Sequence, residues 1–321
     1  MKLIKTPVKG MADMLPSDMR LRTLVLARIR KNYASRGFME IETPAMEHIE
    51  NLTSKQGGDN EKLIFKVMKR GAELRRAIDA GKEEFADSGL RYDLTVPLVR
   101  YYSNNKEKLP VPFKALQIGN VWRADQPQRG RYRQFMQCDI DILGEPGIIA
   151  EIELILATTT LLGRLDFSKF TIRINDRRIL KAMAAYSGFE EEQYDTVFII
   201  LDKMDKIGLD GVREELLKEG YPEANVSKYL GLYENMLQSD DTSDNGSESS
   251  IEKIRHIKDE LGDYLDKEIY DNLETIINSV ETARTADFRI SFDPTLVRGM
   301  SYYTGPIFEI SMDEYGGSVG G

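Results

Sequence analysis

Apolar residues first recur along this chain at helical spacing. Leu21, Leu24, Val25, Ile29 and Tyr33 fall three or four positions apart within residues 17–36, which predicts a helix capped by Ser17 and terminated by Gly37. The period then drops to two: residues 38–43 read as a strand that stops at Pro44, 63–68 as a short apolar strand after a Gly-Gly turn, and 90–96 as a strand ending at Pro97. Residues 72–88 between these strands are charged and helical in composition. The strongest two-residue alternation flanks a turn-rich segment, 124–133, containing Pro127 and Gly130, so an antiparallel hairpin is predicted over 115–144. A helix over 148–162 and a strand over 170–175 follow, then a helix-rich region, 176–284, with helices over 202–219 and 251–279 and a mobile polar loop over 238–250. Strands are predicted again at 289–293, at 297–310 and in the glycine-rich end, 316–321. Helices placed around antiparallel hairpins give an α+β class and not a doubly wound parallel sheet.

The second strand of the hairpin separates its residues by chemistry. Gln137, Asp139 and Asp141 share one face, and Met136, Cys138, Ile140 and Ile142 the other, so one face is core and one polar. The loop between the strands carries Arg123, Arg129, Arg131 and Arg133, although the formal net charge of the chain is -9. Arginines concentrated beside a carboxamide and carboxylates suit a ligand with both phosphate and cationic groups. Asp93 and Thr95 fall on one face of the strand over 90–96, where a carboxylate and a hydroxyl can pair with an ammonium ion.

With 321 residues the chain should form one large domain and a smaller one, and 41% hydrophobic with 30% charged residues is the composition of a soluble globular protein. The acidic balance argues against a protein that coats nucleic acid through many phosphate contacts. Cys138 is the one cysteine, which excludes an internal disulfide and a cysteine-based zinc site, and its apolar face predicts a packed thiol. No metal-ligand cluster is apparent, and His256 lies on a charged helix, where it is expected to be solvated. Neither a signal peptide nor a membrane-spanning run is visible, so no membrane association and a cytoplasmic location are expected.

Residues 121–144, VWRADQPQRGRYRQFMQCDIDILG, resemble the second class-defining motif of class II aminoacyl-tRNA synthetases in its histidyl-tRNA synthetase form. LRYDLTVPLVRY (90–101) resembles the histidine-binding strand and turn of that family, and VRGMSYYTGPIFEI (297–310) its histidine-specific signature. The long helix, strand and proline at the N-terminal end resemble the first motif, which builds a homodimer interface in the family. The resemblance implies a class II catalytic fold, an antiparallel sheet flanked by helices, over 1–175 and 285–321, with a mainly helical insertion domain over 176–284. It implies the substrates L-histidine, ATP with Mg²⁺, and tRNA(His): histidine is activated to histidyl-adenylate and passed to the tRNA. Carried over by position, Arg123 and Arg298 are the expected catalytic residues, facing the α-phosphate and the histidine carboxylate. Asp93, Thr95, Gln137, Asp141, Tyr302 and Tyr303 are the expected histidine ligands, the two tyrosines on opposite faces if their strand is regular. Arg123, Asp125 and Arg133 are expected at ATP.

Two positions depart from the common family pattern: Asp125 stands where glutamate is frequent, and Ser301 where Asp or Gly often precedes the tyrosines. In the family a third motif with an ATP-holding arginine and an anticodon-binding domain follow the signature. The chain is expected to be truncated before both and to activate histidine poorly. The alternative is the regulatory subunit of ATP phosphoribosyltransferase, a catalytically inactive protein of the same fold.

Overall fold

A computed structural model describes residues 3–53, 59–81, 85–128, 130–237, 246–297, 303–312, 314 and 317–321. The chain divides into two compact units, Met1–Pro146 and Gly147–Gly321.

The first unit runs α1 (Pro16–Ala34), β1 (Met39–Ile41), β2 (Met46–His48), α2 (Ile49–Thr53), β3 (Lys66–Met68), α3 (Gly71–Asp79), β4 (Ala86–Leu90), α4 (Thr95–Asn105), β5 (Phe113–Trp122) and β6 (Gln134–Leu143). Helix α1 starts one residue before the expected cap, because the fixed φ and missing N–H of Pro16 suit the first helical position. Asp18, not Ser17, satisfies the entry, its Oδ2 accepting the Leu15 N–H at 3.3 Å. At the other end the Phe38 N–H reaches Tyr33 O and the Gly37 N–H reaches Ala34 O, both at 3.1 Å, with Gly37 at φ +83°. That closure needs a left-handed residue, which glycine supplies without strain. Of the five apolar positions that predicted this helix, Ile29 and Tyr33 are buried, whereas Leu21 and Leu24 stay 64% and 53% exposed.

Strand β5 is the centre of one sheet, ordered β1-β5-β6, parallel to β1 and antiparallel to β6. The hairpin register runs unbroken from Phe113↔Leu143 to Trp122↔Gln134, as the alternation predicted. Phe113, Ala115 and Leu98 of α4 form a buried cluster, with Tyr101 and Tyr102 stacked on Phe113 at 6.5 and 6.3 Å. Strands β2, β4 and β3 form a separate antiparallel sheet with β4 in the middle. Buried Glu47 of β2 binds the Arg100 guanidinium of α4 at 2.5 Å. Burial opposes its charge, but Arg100, the His48 N–H and Asn51 outweigh this and hold its carboxyl below the usual value.

Residues 90–96 are not a strand. Strand β4 ends at Leu90, and α4 begins at Thr95, because the Asp93 carboxylate accepts the Val96 N–H at 3.1 Å and turns the chain into a helix. Pro97 then sits in the first turn, where its missing N–H leaves no bond unmade. The charged segment at 72–88 likewise divides, with α3 ending at Asp79 and β4 beginning at Ala86.

The second unit comprises α5 (Ile149–Arg164), β7 (Phe170–Asp176), α6 (Arg177–Tyr186), α7 (Tyr194–Leu201), α8 (Met204–Lys218), α9 (Glu223–Leu237), α10 (Gly246–Leu261), α11 (Lys267–Ala283), β8 (Phe288–Phe292), β9 (Pro306–Met312) and β10 (Gly317–Gly320). Its sheet is ordered β10-β9-β7-β8; β7 runs parallel to β8 and antiparallel to β9. All of α6 to α11 intervene between the adjacent strands β7 and β8. The helix predicted over 251–279 is two helices, because Asp266 accepts the Glu268 N–H at 3.0 Å and caps a new start. Residues 246–250, expected in the polar loop, open α10, where Ser250 Oγ accepts the Phe292 N–H of β8 at 3.0 Å; 238–245 lie outside the described residues. His256 is exposed, as expected. In the segment leading towards the signature, Arg173 Nε donates to Asp293 at 2.5 Å, and Asn175 Nδ2 donates to the Pro294 and Leu296 carbonyls at 3.3 and 3.1 Å. The strand expected over 297–310 begins at Pro306. No described helix is long and apolar enough to cross a membrane.

Candidate active site

Residues paired across an antiparallel ladder point to the same side of the sheet. The pairs Ala115↔Asp141, Gln117↔Asp139 and Gly119↔Gln137 therefore put small or neutral side chains of β5 beside the polar row of β6. The turn before α4 covers the β5 half of this face: Gln117 Nε2 donates to Leu94 O at 3.0 Å. Arg91 lies over Gly119. Its Nε donates to Asn120 O at 2.8 Å, and Nη1 to Thr43 O at 2.6 Å and Thr43 Oγ1 at 3.3 Å, so a buried guanidinium is fixed largely by main-chain carbonyls.

A Cβ on residue 119 would lie 2.3 Å from Arg91 Nη2. Gly119→Ala is therefore expected to expel the guanidinium from its bonds and destabilise the protein by about 2–3 kcal/mol. Urea unfolding tests this, and an unchanged midpoint would show that Arg91 can yield without loss.

Asp93, Asp139 and Asp141 form the acidic part of the site. Burial raises all three carboxyls above their ordinary range, Asp139 to about 7 and Asp141 to about 6. Mutual repulsion adds to this: Asp139 responds to Asp141 and Asp93, and Asp141 to Asp93. Arg123 is the cation that opposes the rise at Asp93 and Asp139. Its Nε donates to Tyr92 O at 3.2 Å, and its guanidinium lies 4.3 Å from the centre of the Tyr92 ring and 5.1 Å from that of Phe135. A planar charge held by two aromatic faces is pre-organised. Two acceptors, Gln137 Oε1 and Asp141 Oδ2, are buried and have no hydrogen-bond partner among the described residues. Such atoms call for a ligand that brings N–H donors.

The loop after β5 is braced at its base. The Arg123 N–H bonds to Arg133 O at 2.9 Å, the Arg133 N–H to Gly10 O at 2.7 Å, and Arg133 Nε to Asp125 O at 3.0 Å. Gln128 and Arg131 bridge across Gly130 at φ +78°, while Arg129 lies outside the described residues. Cys138, on the opposite face of β6, has its thiol pushed up to about 12 by burial first and then by Asp139 and Glu40, and so does not act as a nucleophile.

Of the residues singled out in the sequence, the carboxyls of Asp93, Asp139 and Asp141 act on one another and Arg123 acts on Asp93 and Asp139, with Gln137 on the same face of β6. Thr95 is half-buried as the first residue of α4, its N–H bonded to Asp93. Arg298, Ser301 and Tyr302 lie outside the described residues, and Tyr303 belongs to the second unit, where it is 44% exposed. Arg91, Gln117 and Gly119 were not foreseen. In the alternation Arg91 counts as one more surface polar residue, and its covering of Gly119 joins positions far apart in sequence. Among the described residues no three His, Cys, Asp or Glu side chains converge on a metal site.

The family model of histidyl-tRNA synthetases matches residues 10–321. The histidine–tRNA ligase of Leifsonia xyli subsp. xyli is 45% identical over 322 residues, 98% of this chain and 72% of its own length. That of Bacteroides fragilis strain YCH46 is 36% identical over 98% of this chain and 68% of its length. Among solved structures, a crystal structure of histidyl-tRNA synthetase from Nostoc sp. PCC 7120 superposes with a TM-score of 0.77 at 28% identity, covering 98% of this chain and 66% of that one.

Proposed function

Since the chain belongs to the histidyl-tRNA synthetase family, we propose that it serves as a histidine–tRNA ligase whose amino-acid pocket is the polar face of β5 and β6. The observation that carries the reading is the set of buried acceptors on that face, with Gln137 Oε1 and Asp141 Oδ2 unpartnered among the described residues and Arg123 fixed beside the carboxyls. Histidine has complementary groups: an ammonium ion, a ring N–H and a carboxylate. Asp93, Thr95 and Gln137 take the ammonium group, Asp141 accepts from the imidazole, and Arg123 holds the carboxylate and the α-phosphate together. The basic loop carrying Asp125 and Arg133 receives ATP.

A carboxylate oxygen of histidine attacks the α-phosphorus, a new P–O bond forms, and the bond to pyrophosphate breaks in line. The 3′-terminal hydroxyl of tRNA(His) then displaces AMP. Both steps depend on positioning and on neutralising charge rather than on a protein nucleophile. Mg²⁺ would accompany ATP and neutralise charge on its phosphates. Helices α6 to α11 correspond to an insertion over 176–284, a reading supported by the direct pairing of β7 with β8 on either side of them.

Histidine-dependent exchange of pyrophosphate into ATP is the deciding measurement. Because a chain ending before the family's third motif is expected to bind histidine and exchange poorly, only binding without exchange in a protein that also carries that motif would favour the regulatory subunit, and absence of binding would sink the reading of this face as a histidine pocket. A homodimer through α1 and β1 is supported by the exposed Met19, Leu21 and Leu24. Light scattering is expected to give twice 36.6 kDa, and the monomer mass at micromolar concentration would exclude it.

A further inference from the structure

Strand β6 carries one more acid on its polar face than the proposed ligand set uses. Asp139 lies between Gln137 and Asp141 on that row, opposite Gln117 of β5. The Gln117 carboxamide is engaged elsewhere, its Nε2 donating to Leu94 O at 3.0 Å and its Oε1 accepting from the Thr43 hydroxyl at 3.5 Å. The charged groups that face Asp139 are Asp141 on its own strand, Asp93 in the turn before α4, and Arg123 at the end of β5. Asp93 and Asp139 thus share the field of one guanidinium, and Asp141 adds a third carboxyl beside them, in a largely buried place. A carboxylate deprived of water and set beside two others keeps its proton until a cation arrives.

Resting on the reading of this face as the histidine pocket, we infer that Asp139 is a further specificity-determining residue: its carboxyl is only partly ionised in the empty pocket and becomes fully ionised as the ammonium group enters. The O–H bond of Asp139 breaks, the proton passes to solvent, and the carboxylate left behind faces the bound cation. An amino acid is then selected partly by the charge it induces, which a ligand lacking the ammonium group cannot exploit. The sign follows from the raised value of about 7. As pH falls below that point the proton is held more firmly and histidine affinity drops; above it Asp139 is already ionised and no proton is released.

Calorimetric titration of L-histidine into the 321-residue protein at neutral pH, in phosphate and in Tris, reads the proton directly. Near the midpoint, wild type should release about half a proton more than D139N. Comparing the two proteins cancels the proton linkage of the imidazole of the ligand, which is common to both. Equal release by the two overturns the inference, even when both bind histidine. Should D139N fail to fold, D139S takes its place as the reference, and equal release by D139S and wild type overturns the inference in the same way. If wild type gives no histidine heat under any condition, the reading of the face as a histidine pocket fails, and the inference with it.

Discussion

In a protein that also carries the family's third motif, Arg123→Ala is expected to all but abolish histidine-dependent pyrophosphate exchange, lowering kcat/KM by on the order of 10²–10³-fold. The guanidinium lies over the Tyr92 and Phe135 rings and is tied to Tyr92 O, so in the proposed role it would meet developing charge on an α-phosphate without first having to be ordered. A pre-set donor in a site with little water contributes about 3–4 kcal/mol to the transition state. Arg123→Lys should recover little, since an ammonium group cannot span two acceptors as a planar fork does. Folding should survive both substitutions, because the side chain is half-buried and its described hydrogen bond is to a single carbonyl. Exchange within a few-fold of wild type, in a protein that unfolds normally, would make Arg123 a structural residue.

Asp141→Ala should raise the KM for histidine by about 10²-fold while leaving that for ATP nearly unchanged. Asp141 Oδ2 is a buried acceptor without a protein donor among the described residues, so the imidazole N–H is what would satisfy it. Without that oxygen the ring N–H enters the pocket unpaired, and the desolvation of a polar group goes uncompensated. The substitution also relieves repulsion at Asp139, which should shift the pH dependence of binding to lower pH. A variant that lost ATP affinity and kept histidine affinity would remove β6 from the amino-acid pocket.

The hairpin could be read from the sequence because two runs of alternation met a turn-rich loop, and register then followed from geometry. The polar row of Gln137, Asp139 and Asp141 came with it. Residues 90–96 misled for a physical reason: Leu90, Tyr92, Leu94 and Val96 alternate as in a strand, but the Asp93 carboxylate accepts the Thr95 and Val96 N–H groups and starts a helix. The break between α10 and α11 was hidden in the same way, since Asp266 caps a helix inside a stretch of uniformly helical composition. Arg91 could not be assigned at all. Its role depends on the missing side chain at Gly119 and on the carbonyls of Thr43 and Asn120, which only the folded sheet assembles.

The direct pairing of β7 with β8, from Phe170↔Phe288 to Ile174↔Phe292, makes the second unit a problem of chain closure. If α6 to α11 were a flexible loop of on the order of 100 residues, bringing its ends together would cost about 4 kcal/mol in entropy before any pairing rewarded it. Helices that fold locally shorten the effective tether and deliver Phe288 to Phe170 already near contact, where their rings stack at 5.4 Å. Register in this sheet then depends on the helices having formed, so β8 should dock late, and substitutions in it should mainly speed unfolding rather than slow folding.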